Sequence, residues 1–205
     1  MVPKKRLRPL ELTMKHDTQP ELTTKHAIKT IEVYAWGLDN IGLNHVEKDK
    51  NLHIDVIASK FYECYPFVEG YMNLWFDARV FHVEMEKRPA GHGGEHDIVV
   101  QEIVHHTQFG KWLSDVKYQI ENHDAEECPH MKIAVMCKAG INRSVAASRV
   151  MTEVLARVGY VVGSPIYLND RRLRRRRICT SCSKCRNTDV KEKLFQYAVS
   201  LWHRV

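Results

Sequence analysis

At 205 residues, 44% of them hydrophobic, the chain can bury one core and at most a small appendage. A formal charge of +6 and a pI near 9.0 point either to a polyanionic partner or to a solvated basic face. No apolar run approaches the ~18–20 residues that span a bilayer, and Met1 to Leu10 is basic without the apolar stretch of a signal peptide, so no membrane partner is expected. A soluble, intracellular, cytoplasmic protein follows as the expectation. Its core is large enough to do without disulfide staples, and the cysteines are read as reduced thiols.

Residues 1–25 are polar, hold no sustained period of 2 or 3.6, and read as a flexible basic arm. The cluster from Lys4 to Arg8 is either a chance run or a nuclear import signal. Residues 26–205 read as a single domain. Ile28 to Ala35 alternates and predicts the first strand, ended by Gly37 and the Asp39-Asn40 pair. Ile54 to Ser59 is β-branched and predicts a second strand, followed by an aromatic core cluster of Phe61, Tyr62, Tyr65 and Phe67. Leu74 to Arg79 predicts a further strand that ends in an acid and an arginine. Asp77 and Arg79 are either an ordinary ion pair or ligand contacts at the carboxyl edge of a parallel sheet.

Arg88 to Gly94 is a Gly-rich loop of the kind that covers a site, with His92 and His96 as candidate ligand contacts. From Ile98 to Ile120 apolar residues recur at helical spacing, predicting one long helix or two with a break near Gly110. Ile133 to Met136 predicts a strand, Cys137 to Ser144 a polar Gly-bearing loop, and Val145 to Val158 a helix with Gly159 at its C′ position. Tyr160 to Val162 follows as a strand. Strand, loop, helix, strand predicts a βαβ unit with a parallel pair and a right-handed crossover. A last amphipathic helix begins at a capping-box-like Asp189-x-x-Glu192 and carries Leu194, Phe195, Ala198 and Trp202.

The loop from Cys137 to Ser144 is the most informative stretch. A strand entering a Gly-containing turn that opens a helix aims backbone N–H groups and the positive helix end at one point, which suits a phosphate or another anion. Arg143 would close that cup with a planar, permanently charged fork.

Residues 171–186 change character. Arg171, Arg172, Arg174, Arg175, Arg176 and Arg177 put six arginines in seven residues, which suits RNA or DNA phosphates, a surface run or an import signal. Cys179, Cys182 and Cys185 follow at C-x2-C-x2-C spacing. They are either loosely packed thiols or ligands of a structural zinc, with Cys128, a histidine or a second chain as the fourth ligand. No other cofactor is required.

Cys137-Lys-Ala-Gly140-Ile-Asn-Arg143-Ser144 resembles the C-x2-G-x2-R-[ST] loop of cysteine-dependent phosphatases, including dual-specificity ones. That resemblance implies Cys137 as the thiolate nucleophile, Arg143 and the loop amides as the phosphate cradle, and Ser144 as the hydroxyl that assists thiolate departure. The chain departs from this family at Met136, where the family has histidine, and in lacking an aspartate some thirty residues upstream of the cysteine; Asp97 and Asp115 flank that position. Over a longer span, from Ile28 to Arg177, the order of Phe76-Asp77-Ala78-Arg79, a loop with Arg88-Pro89, a helix, the strand into Cys137 to Ser144, a helix and a basic tail is similar to the C-terminal domain of the RapZ-type RNase adaptor proteins. That likeness implies a phosphorylated amino sugar in the loop pocket, small RNA on basic surface, and a homo-oligomer. The implied ligand contacts are Asp77, Arg79, Cys137, Lys138, Ala139, Gly140, Asn142, Arg143 and Ser144. Asn142 stands where that family has histidine and Ala139 where it has glycine.

Two functions from different classes are therefore expected to compete: a ligand-sensing, RNA-binding module, which the order of elements favours, and a cysteine phosphatase, which the loop alone favours. Both predict an α/β fold with a mainly parallel sheet, helices on both faces and the site at the carboxyl edge.

Overall fold

The computed structural model describes residues 30–43, 53–82, 92–123, 129–168, 182–183 and 188–205. The basic arm, the Lys4 to Arg8 cluster, residues 88–91 of the Gly-rich loop, Cys128, the arginine run 171–177, Cys179 and Cys185 lie outside them.

The fold is α/β, with five parallel strands and five helices among the described residues. In chain order these are β1 (Thr30–Gly37), α1 (Ile54–Cys64), β2 (Leu74–Asp77), α2 (Asp97–Val104), α3 (Phe109–Glu121), β3 (His130–Cys137), α4 (Arg143–Arg157), β4 (Val161–Val162), β5 (Ile166–Tyr167) and α5 (Thr188–Trp202). Short 3-10 turns follow β1 at Leu38–Ile41 and β2 at Ala78–Val80. The sheet order is β2-β3-β1-β4, with β5 also on β1.

Strand periodicity sorts the core into two halves. Ile31 and Val33 of β1, with Met131, Ile133, Val135 and Cys137 of β3, face a large core shared with α2, α3, α4 and α5. Tyr34 and Trp36, with Ala134 and Met136, face the other side and pack against Ile57, Phe61 and Tyr65 around α1. A strand buried on both faces shows an apolar run instead of an alternation, which is why Ile133 to Met136 reads as continuous.

Three expectations change. Residues 54–59 form the start of α1, not a strand: Ile57 and Phe61 stand four apart and are buried, while Asp55, Lys60 and Glu63 face water, a helical period that outweighs the β-branched content of Ile54, Val56 and Ile57. The strand predicted to Arg79 stops at Asp77, whose side chain accepts the Arg79 N–H and bends the chain into a 3-10 turn. The segment from 98 to 120 forms two helices, as the second alternative expected, with the break at residues 105–108 and Gly110 in the first turn of α3. Glu192 does not close a capping box; it meets Arg157 of α4 in a two-pronged ion pair with both contacts at 2.7 Å.

The βαβ unit forms with one difference from expectation. β3 and β4 are parallel, but β1 lies between them. Gly159 closes α4 with a φ of +103°, a left-handed conformation that glycine adopts without steric cost. The predicted aromatic cluster divides: Phe61 and Tyr65 are buried, whereas Phe67 is exposed. β5 was not foreseen, because two residues carry no periodicity. Among the described residues no helix is long and apolar enough to cross a membrane.

Candidate functional site

β1, β2 and β3 run in parallel and end together, so Gly37, Asp77 and Cys137 stand at one carboxyl edge. Gly37 is paired with Cys137, and Asp77 with Met136. From Cys137 the chain turns back across the end of β1. A Cβ added to Gly37 would lie 2.3 Å from the Gly140 nitrogen and 2.4 Å from the Ala139 carbonyl carbon, so the loop can approach this closely only over a glycine. Beyond Gly37, the Asp39 N–H donates to the Lys138 carbonyl at 2.9 Å. Gly140 itself has a φ of +66°, which reverses the chain toward α4.

The reversal folds the loop around the Cys137 sulfur. The Gly140 N–H donates to Sγ at 3.2 Å, and the Ser144 Oγ lies 3.2 Å from the same atom. Cys137 and Ser144 are both buried. Ser144 is held in the first turn of α4, where the Ser148 hydroxyl donates to its carbonyl at 2.6 Å. The sulfur thus sits between an amide donor and a hydroxyl at the start of a fifteen-residue helix.

Arg143 opens α4 and links the loop to the end of β2. Its Nη1 donates to the carbonyls of Arg79 at 3.2 Å and Phe81 at 3.4 Å. Asp77 grips the Arg79 guanidinium from both carboxylate oxygens, with Nε at 3.0 and 2.9 Å and Nη2 at 2.7 Å. Asp77 and Arg79 are therefore an ion pair, and that pair also shapes the turn that receives Arg143. Asp77, Arg79, Arg143 and the loop form one connected group.

A second wall stands behind the loop. The Gly94 N–H donates to the Ile141 carbonyl at 3.0 Å, and a Cβ on Gly94 would lie 2.2 Å from the Asn142 carbonyl oxygen. Glu95 accepts a hydrogen bond from the Tyr167 phenol on β5. Burial, and then Glu95, push that phenol above its ordinary pKa, so it stays a donor. Two buried acceptors next to the loop, Asn142 Oδ1 and Asp39 Oδ1, have no hydrogen-bond partner among the described residues. Such atoms cost about 1–3 kcal/mol each when left unmet.

The acids flanking the general-acid position are otherwise engaged or displaced. Asp97 lies at the start of α2, where its carboxylate accepts the Ile98 N–H at 2.7 Å and meets His96 at 2.9 Å. Asp115 is exposed on α3. The sequence marks Gly37 as a strand end and Gly94 as part of a Gly-rich loop; their contact with a loop that lies far along the chain is visible only in the fold. His92 and His96 lie with Cys182 rather than on the loop's sulfur. No family model, no curated protein and no solved structure matches the chain.

Proposed function

We propose that the chain is a binding module of the kind found in the C-terminal domain of RapZ-type adaptors. It holds a phosphorylated small molecule, a phosphosugar or similar anion, on the loop from Cys137 to Ser144. The observation that carries this reading is the contact of Arg143 with the Arg79 and Phe81 carbonyls, which joins the Asp77–Arg79 turn to the loop. A phosphatase loop alone gives that turn no task. The unmet acceptors Asn142 Oδ1 and Asp39 Oδ1 support a ligand that carries donors besides its phosphate. Basic residues, those of the arginine run 171–177 included, take RNA through its phosphates.

One observation favours the second reading, a cysteine-dependent phosphatase. The Cys137 sulfur has the amide and hydroxyl neighbours that a departing thiolate would use, with Arg143 beside it. Turnover of an aryl phosphate by wild type beside Cys137→Ser, between pH 5.5 and 7.5, separates the two. The binding reading expects no turnover by either protein, together with a rise in melting temperature on adding a phosphorylated amino sugar. Turnover that vanishes with Cys137 replaces it with the phosphatase. For RNA, replacing Arg174 to Arg177 with alanine should flatten the dependence of affinity on salt; an unchanged slope removes the run from the interface.

A further inference from the structure

We propose that His92, His96 and Cys182 form a zinc site. Their ligand atoms all lie within 4.8 Å of one another, although the cysteine comes from a segment 86 residues beyond His96. His96 Nε2 and Cys182 Sγ are 3.9 Å apart, long for a hydrogen bond. A tetrahedral zinc, with bonds of about 2.0–2.1 Å to nitrogen and about 2.3 Å to sulfur, holds such a pair roughly 3.5 Å apart. The His92 and His96 rings meet edge to face with centroids 4.7 Å apart, so both imidazoles border one small volume.

The surroundings of His96 match a metal-bound histidine. Its side chain is fully buried, and its Nδ1 lies 2.9 Å from the Asp97 carboxylate. The same Nδ1 is 3.2 Å from the Ile98 N–H, but that amide has a nearer acceptor in Asp97 at 2.7 Å. With Nδ1 turned to Asp97 and the Ile98 amide, Nε2 is the ring nitrogen that faces Cys182. A carboxylate that orients one ring nitrogen while the other binds metal is the usual second layer of a zinc site. Two imidazoles and a thiolate select zinc over harder cations. Cys182 binds as thiolate and releases its proton to solvent.

This assignment differs from the three-thiol set that the C-x2-C-x2-C spacing suggests, in that two histidines from the segment before α2 supply the ligands. It is independent of what the loop from Cys137 to Ser144 binds. Its structural consequence reaches that loop, because Gly94, between the two histidines, donates to Ile141 and packs on Asn142. The ion fastens the segment at Cys182 to the wall behind the anion cup.

Metal-free purified chain titrated with zinc should take up one ion. Cobalt(II) in its place should give the visible spectrum of a tetrahedral site with a thiolate charge-transfer band. His92→Ala and Cys182→Ala should each weaken zinc binding at least tenfold, and Asp97→Asn by about 10- to 100-fold, the usual effect of losing an orienting carboxylate. His105→Ala, a histidine stacked on Tyr197 away from the cluster, should leave it unchanged. Because His96 is buried and its replacement by alanine removes core packing as well as a ligand, His92→Ala and Asp97→Asn carry the test. An octahedral cobalt spectrum, or full zinc affinity in both of these variants with loss only on removing thiols, overturns the assignment.

Discussion

The two faces of the sheet are built differently. One is covered, among the described residues, by α1 and the segments around it and is dense in aromatic rings: Trp36 meets Phe61 at 5.0 Å and Trp75 at 5.9 Å, and Phe61 meets Tyr65 at 5.0 Å. The other is covered by four helices over Ile31, Val33, Ile133 and Val135, and it holds the side chains of Cys137 and Ser144 at its upper margin. The aromatic face supports the sheet from below. The four-helix face fixes where α4 begins, and so where the loop amides point. Stability and site geometry are therefore expected to respond to mutation on opposite faces.

The sharpest way to break that division is Phe61→Ala. Deleting a fully buried ring should lower unfolding free energy by about 3–5 kcal/mol in a denaturant titration, while the folded fraction keeps its affinity for a phosphorylated amino sugar. Reduced affinity in the folded fraction would show that the two faces are coupled. Gly37→Ala should do the reverse. Its methyl overlaps the Gly140 nitrogen, and overpacking of this kind costs about 1–3 kcal/mol, which here should fall on the loop and abolish the thermal shift produced by phosphate. Arg143→Ala should weaken anion binding by about 1.5–3 kcal/mol, measured by calorimetry, with a smaller loss of stability than Phe61→Ala. Unchanged affinity would remove the loop as the site.

The smallest effect lies at the exposed edge between α4 and α5. Hydrogen bonding to Arg157 holds the Glu192 carboxyl down to about 2. A folded value below the unfolded one of about 4.3 means that this contribution is present above that pH and is lost as pH falls through about 2. Glu192→Gln should therefore flatten the acid limb of the stability curve slightly and leave neutral-pH ligand binding alone. A steeper acid limb in the variant would contradict the pairing.

What could be read from the residues was local. The passage from Ile133 through Gly140 to Leu155 shows strand, reversal and helix within one window, and all three formed where expected. Residues 54–59 misled because their β-branched content and their helical period pointed in different directions, and tertiary packing of Ile57 and Phe61 decided for the helix. Gly37 could be recognised as the end of a strand, but not as the floor of a loop that arrives much later in the chain. The same limit hid the approach of His92 and His96 to Cys182. Spacing along the chain offered three nearby thiols, whereas the fold offers two imidazoles from the far side of α2, α3, β3 and α4.

β1 lies inside the sheet and pairs with β3 at a constant offset of 100 residues, Thr30 with His130 through Gly37 with Cys137. At synthesis rates of about 5–20 residues per second, an emerging β1 waits about 5–20 s before its first full-length neighbour is made. Through that interval the run from Ile31 to Trp36 has no strand beside it, and such unpaired apolar strands are the segments that associate wrongly. The arrangement that gathers the carboxyl edge into one cup thus also leaves both edges of β1 without their β3, β4 and β5 partners until those later residues have emerged.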